Sequence, residues 1–124
     1  MPSRPLVLCV EPADDVCTML RQLLRVNGLD SESASTIREA VEKAEGGDFC
    51  LYIVDDSYQD GTNVELIRRL REVTPQVPVL VFSTLAFEAS RRAAVEAGAG
   101  KYMVKPQDID RLVSAAVTLC GVGT

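Results

Sequence analysis

The sequence predicts an open α/β fold in which a doubly wound parallel sheet of five strands is covered by helices on both faces. Short β-branched apolar runs alternate along the chain with segments of helical periodicity. The apolar runs are continuous rather than alternating, which is typical of strands buried on both faces. Because each predicted strand is followed by a helix, the connections are right-handed crossovers and the sheet is parallel.

The predicted strands differ in polarity. Four of them are continuous apolar runs, at 6–10, 50–54, 77–82 and 102–104. A further strand is expected within 29–34, where the letters DSES are polar. Since a central strand of a covered sheet is apolar, this segment is predicted to lie at an edge of the sheet.

Apolar residues recur three and four positions apart between the strands, which is the pattern of a helix packed on a sheet. This spacing, together with one alanine-rich segment, predicts helices at 16–24, 37–44, 64–73, 86–97 and 109–117. Thr36 and Glu39 form a capping-box pattern at the start of the second helix. Gly28, Gly46 and Gly98 stand where helices are expected to stop.

Composition limits the function classes. The chain has 124 residues, 47% of them hydrophobic and 25% charged, which suits one globular domain and excludes two large ones. A formal net charge of -5 argues against broad binding to nucleic acid or to anionic membranes. The absence of histidine excludes Ser-His-Asp and Cys-His catalysis and His-ligated zinc. We expect a single domain over 1–124 with no output domain, and no direct nucleic-acid or membrane partner.

The cysteines and the apolar runs bear on location. Cys9, Cys17, Cys50 and Cys120 form no CxxC pair, and two of them lie within apolar runs. All four are interpreted as small, reduced, mostly buried residues of a reducing compartment. The apolar runs are far shorter than the roughly 20 residues of a membrane-spanning helix, and the start of the chain lacks a secretory pattern. A cytoplasmic protein is expected.

Polar residues follow four of the predicted strands. They are Glu11, Asp55, Ser83 and Lys105. In an open parallel sheet, ligands bind beyond the carboxyl ends of the strands, near the point where the strand order reverses. In the flavodoxin-like strand order 2-1-3-4-5 these four strands are neighbours, so two carboxylates, a hydroxyl and an ammonium are expected to meet at one rim.

This constellation resembles the receiver domain of two-component response regulators over nearly the whole chain. The stretch VDDSYQDGTNVELIRRLR looks like the segment around that family's phosphoaccepting aspartate, which places the acceptor at Asp55. PVLVFST resembles the strand that carries the switch hydroxyl, here Ser83. GAGKYMVKP is similar to the strand ending in the family's Lys-Pro, here Lys105 and Pro106, with Tyr102 in the place of the switch aromatic.

The resemblance implies a phosphoryl acceptor with at most slow autodephosphorylation rather than an enzyme. A histidine kinase or phosphotransfer protein would supply the phosphoryl group. Lys105 would neutralise its charge, Ser83 would donate a hydrogen bond to it, and Tyr102 would follow Ser83. The face of the fourth helix, fifth strand and fifth helix would meet a downstream protein, and a second copy of the chain is a further candidate partner.

The resemblance also implies Mg²⁺, held by Glu11, Asp55 and the backbone carbonyl of Ser57. However, Glu11-Pro12 stands where the family has two adjacent acids, the second of which binds the metal directly. Proline has no side-chain ligand, so binding is expected to be weakened or absent. Two alternatives stay open: a receiver controlled by phosphorylation of Asp55, and a pseudo-receiver that binds partners without it.

The residue next to the acceptor is given no role. If the strand continues past Asp55, alternation of side chains makes Asp56 point away from it. Asp56 is therefore interpreted as a surface charge.

Overall fold

A computed structural model describes residues 4–121 as alternating strands and helices. The strands are β1 (Leu6–Val10), β2 (Asp30–Ala34), β3 (Leu51–Val54), β4 (Ser57–Tyr58), β5 (Gly61–Thr62), β6 (Val79–Ser83) and β7 (Lys101–Val104). The helices are α1 (Asp14–Val26), α2 (Ile37–Gly46), α3 (Asn63–Val73), α4 (Glu88–Ala97) and α5 (Ile109–Leu119).

Five parallel strands form one sheet in the order β2-β1-β3-β6-β7, and β4 pairs only with β5. Apart from this hairpin, the order is the predicted 2-1-3-4-5, which confirms the flavodoxin-like fold. The polar strand β2 lies at an edge, as expected. The strand predicted at 77–82 begins only at Val79, because Pro78 has no amide hydrogen to donate to the ladder.

The apolar core lies on both faces of the sheet. Leu8 belongs to a cluster with Leu66 and other residues of α2, α3 and α4. Its neighbour Val7 belongs to a second cluster, formed with Leu20 of α1 and Leu112 of α5. Since successive strand residues point to opposite faces, both must be apolar, which explains the continuous apolar runs.

Two groups cap the start of α2. Thr36 Oγ1 accepts a hydrogen bond from the amide of Glu39 at 3.1 Å, which confirms half of the predicted capping box. The second cap is the Asp60 carboxylate, which accepts hydrogen bonds from the amides of Ile37 at 2.9 Å and Arg38 at 3.1 Å. This contact ties the β4-β5 hairpin to α2.

The hairpin was not predicted, because two strands of two residues carry no periodicity. Its second strand begins at Gly61, with φ of 154°. A Cβ atom there would lie 2.7 Å from Ile37 Cδ1 and 2.8 Å from a carboxylate oxygen of Glu65. Glycine therefore allows the hairpin to lie against α2 and α3.

The interpretation of the cysteines was wrong for two of the four. Cys50, just before β3, and Cys120, just after α5, are joined in a disulfide with their Cα atoms 5.3 Å apart. They are separated by 70 residues, and only the return of α5 to the edge where β3 begins brings them together. Cys9 and Cys17 are free, and Cys9 is buried as expected. Within residues 4–121, no helix is long and apolar enough to cross a membrane.

Candidate functional site

The carboxyl ends of the central strands gather charged side chains at one rim. Glu11 follows β1, Asp55 follows β3 and Lys105 follows β7. The Nζ atom of Lys105 lies 2.6 Å from Glu11 Oε1 and 2.9 Å from Asp55 Oδ1. Thus the structure brings together three of the residues predicted to meet at this rim.

These three side chains are largely removed from water, with exposed fractions of 6% for Glu11, 15% for Asp55 and 14% for Lys105. Burial raises the pKa of Glu11, and the charge of Asp55 adds to this against the opposing hydrogen bond from Lys105. Burial alone would lower the pKa of Lys105, but hydrogen bonds and charges from the two carboxylates outweigh it and raise that pKa. Lys105 is therefore a permanent ammonium.

Glu11 has both carboxylate oxygens engaged within the chain. Oε1 accepts a hydrogen bond from Lys105, and Oε2 accepts one from the backbone amide of Ala13 at 3.1 Å. The second bond closes a short turn over Pro12. Glu11 is consequently held in one orientation, toward the ammonium.

Asp56 is not the surface charge that the sequence analysis expected. Its Oδ2 accepts a hydrogen bond from Thr84 Oγ1 at 3.2 Å, and its Oδ1 is buried without a hydrogen-bond partner among the described residues. Burial and the charge of Asp55 raise its pKa. The expectation failed because β3 ends at Val54, so strand alternation does not extend to Asp56.

Ser83 and Tyr102 are linked beside this rim. Ser83, the last residue of β6, is fully buried, and its Oγ accepts a hydrogen bond from the amide of Leu85 at 2.9 Å. The Tyr102 hydroxyl lies 3.2 Å from that Oγ and donates to the carbonyl of Leu85 at 2.7 Å. A movement of the Ser83 hydroxyl would therefore reach Tyr102 on β7 directly.

Tyr58, to which the sequence analysis gave no role, reaches the site from β4. Its hydroxyl accepts a hydrogen bond from the backbone amide of Asp55 and donates one to the carbonyl of Val10, both at 2.7 Å. Burial raises its pKa, so the phenol keeps its proton. The available signal in the sequence was an aromatic residue in the loop just after the acceptor.

Comparison with known proteins identifies the family and the fold. The family model for the response regulator receiver domain matches residues 7–117. The chain belongs to this family. The receiver is 35% identical over 106 residues to the KDP operon transcriptional regulatory protein KdpE of Escherichia coli (strain K12), covering 86% of this chain and 47% of that protein. It spans between 24% and 47% of the length of several such curated relatives.

Solved structures show the same fold at lower identity. A two-component response regulator from Clostridium difficile superposes with a TM-score of 0.88 at 22% identity, over 94% of this chain and 95% of that one. A response regulator from Burkholderia pseudomallei, with a phosphorylated aspartic acid, a calcium ion and citrate, gives a TM-score of 0.84 at 24% identity, over 94% and 69% of the two chains.

Receiver domains in general bind Mg²⁺, and the oxygen atoms of this rim fit a hard cation. Asp56 Oδ1 is buried and accepts no hydrogen bond within the described part of the chain, whereas the buried Asp55 Oδ1 is paired with the Lys105 ammonium, 2.9 Å away. The number of protein ligands is small, however. Pro12 contributes none, and no group of three His, Cys, Asp or Glu residues within 4–121 is arranged to hold a metal ion. Water would have to complete the coordination of an ion held by Glu11, Asp55 and the carbonyl of Ser57.

Proposed function

We propose that this receiver accepts a phosphoryl group on the carboxylate of Asp55 from a phosphohistidine of a histidine kinase or phosphotransfer protein. The contact between Lys105 Nζ and Asp55 Oδ1, at 2.9 Å, carries the proposal, because it sets a cation beside the nucleophile. The chain has no histidine, so the donor histidine lies outside these 124 residues. An Asp55 oxygen bonds to phosphorus, the phosphorus–nitrogen bond breaks, and its electron pair stays on the imidazole.

The remaining rim residues respond to the new charge. Lys105 neutralises the phosphoryl oxygens, and Ser83 turns its hydroxyl toward one of them. Since Tyr102 lies against Ser83 Oγ, it moves with it. The population then shifts toward a second conformation of the face of α4, β7 and α5, which binds a downstream protein or a second copy of the chain. We propose a cytoplasmic location because the kinase draws on ATP, although the Cys50–Cys120 disulfide differs from the reduced cysteines expected of that compartment.

Magnesium would assist the same transfer. A bound Mg²⁺ ion supplies positive charge next to the phosphoryl oxygens and the acceptor. Glu11, Asp55 and the Ser57 carbonyl would hold it, and the residue at position 12 would not. We expect weak binding for this reason.

One observation favours the alternative, a pseudo-receiver that binds its partner without phosphorylation. Pro12 has no ligand, and both oxygens of Glu11 are already engaged by Lys105 and Ala13. In such a protein the ion pairs of the rim would serve stability, and the partner face would be permanently available.

An intact-mass experiment separates the two. The protein is incubated with phosphoramidate or acetyl phosphate, with and without Mg²⁺, beside Asp55→Asn and the control variant Asp48→Asn, at an exposed aspartate that precedes β3. A receiver gains one metal-dependent phosphoryl adduct, which Asp55→Asn loses and Asp48→Asn keeps. If wild type gains no adduct at saturating Mg²⁺, the pseudo-receiver is correct. If Asp55→Asn still gains it, the acceptor is another residue.

A further inference from the structure

A tyrosine hydroxyl stands between the backbones of two strands, next to the charged rim. Val10 and Val54 are the last paired residues of β1 and β3. One residue further, where Glu11 and Asp55 begin to diverge, the hydroxyl of Tyr58 accepts from the Asp55 amide and donates to the Val10 carbonyl. The hydroxyl thus links the two backbones through hydrogen bonds just beyond the last residue pair of the two strands.

This link through the Tyr58 hydroxyl has the properties of a rigid spacer. Both hydrogen bonds are 2.7 Å long, and the Tyr58 side chain is buried in the same core cluster as Val10 and Ile37. The hairpin that carries it is fixed to α2 by the Asp60 cap. A buried hydroxyl with a donor on one side and an acceptor on the other leaves neither backbone group unsatisfied.

We infer that Tyr58 is a positioning residue for phosphoryl transfer: its hydroxyl sets the spacing between the backbones of Asp55 and Val10, and hence between the Asp55 carboxylate and the Glu11–Lys105 pair. This inference rests on the proposed function of Asp55. A phenylalanine at this position keeps the ring in the core but leaves the Asp55 amide and the Val10 carbonyl without this partner. The acceptor carboxylate then samples positions outside the reach of Lys105, and transfer slows because its geometry is lost rather than its chemistry.

The test compares Tyr58→Phe with Tyr52→Phe, a matched control. Tyr52 is also buried in the same core cluster, and its hydroxyl lies 2.7 Å from Thr74 Oγ1 without touching the rim. Rates of adduct formation are measured against phosphoramidate concentration. Tyr58→Phe is expected to lower the limiting first-order rate constant of labelling by about 10- to 100-fold with little change in the half-saturating phosphoramidate concentration, whereas Tyr52→Phe changes neither. If the Tyr58 hydroxyl had only a structural role, both variants would lose stability, and Tyr58→Phe would not show a lower rate constant at an unchanged half-saturating phosphoramidate concentration.

Each result is decisive. If wild type is labelled and Tyr58→Phe is labelled as fast as Tyr52→Phe, the role of Tyr58 is overturned, and the assignment of the acceptor stays intact. A wild type that is never labelled overturns the proposed function and this inference together. Amide hydrogen exchange of wild type provides a measurement that does not depend on folding of a variant: the Asp55 amide is expected to be protected, and exchange as fast as that of an exposed loop amide overturns the inference.

Discussion

Removal of the Lys105 ammonium tests whether the rim is the buried ion-pair cluster described above. In Lys105→Met the side chain keeps most of its length, but Glu11 and Asp55 lose the cation that lies 2.6 and 2.9 Å from them. At an effective dielectric constant of about 20, each pair contributes roughly 6 kcal/mol of attraction, most of which offsets the cost of burial. The net loss on removing one partner of such a buried pair is about 3–5 kcal/mol.

The loss is expected to depend on pH. In the wild type the pKa of Glu11 is raised on folding, so ionisation of this carboxyl opposes folding. The stability that protonated Glu11 contributes is fully present below its ordinary pKa of 4.5 and is lost as the pH rises through the raised pKa of the folded state. Without Lys105, which lowers the pKa of Glu11, that pKa rises further. The variant therefore recovers part of its stability as the pH falls through the raised pKa of folded Glu11, where this carboxyl takes up a proton.

Urea unfolding at neutral pH and at about pH 5 measures both effects. Lys101→Met is the matched control, because Lys101 is exposed at the start of β7, the strand that Lys105 follows, and its replacement should change stability by less than about 0.5 kcal/mol. Adding Glu11→Gln to Lys105→Met should recover about 1–3 kcal/mol of coupling energy. A loss below about 1 kcal/mol for Lys105→Met at neutral pH, equal at both pH values, would show that Lys105 is solvated and that the rim is not a closed cluster.

Two further changes address the metal and the disulfide. Pro12→Asp places an acid at the second position of the acidic pair and should tighten Mg²⁺ binding at least about tenfold, or 1.4 kcal/mol. A titration followed by amide chemical shifts measures this change. An unchanged Kd would mean that the side chain at position 12 does not reach the ion. Cys120→Ser should cost about 2–4 kcal/mol of unfolding free energy and make unfolding insensitive to reductant, while Cys17→Ser stays sensitive. A wild type that unfolds identically with and without reductant would refute the disulfide.

Interactions along the chain could be predicted well from the sequence. The apolar runs and their spacing predicted the sheet, the edge position of β2 and the helices, because burial on two faces leaves a direct pattern in neighbouring residues. The meeting of Glu11, Asp55 and Lys105 followed from one topological rule, that parallel neighbouring strands end at the same rim. The structure adds the detail that Lys105 contacts both carboxylates.

The errors concern contacts that depend on how loops turn. Asp56 was misplaced because alternation was extended beyond the end of β3, and Tyr58 was overlooked because a two-residue hairpin brings it back to the rim. The bond between Cys50 and Cys120 depends on where α5 ends relative to β3. None of these three contacts has a local pattern, since the two partners are set by the tertiary path of the chain.

The placement of acids explains why Pro12 need not disable the rim. The family pattern has two acids after the first strand in addition to the acceptor, whereas this chain has Glu11 there and Asp56 next to Asp55. The rim therefore keeps a third carboxylate, at the end of β3 instead of after β1, although Lys105 contacts Glu11 and Asp55 while Asp56 is bonded to Thr84. If transfer to Asp55 depends mainly on the electrostatic field of the rim, it survives this relocation; if it depends on a ligand at position 12, it does not. Pro12→Asp separates these causes, because it adds the ligand and also a fourth carboxylate: faster labelling shows that coordination was limiting, and slower labelling shows that the charge was already balanced.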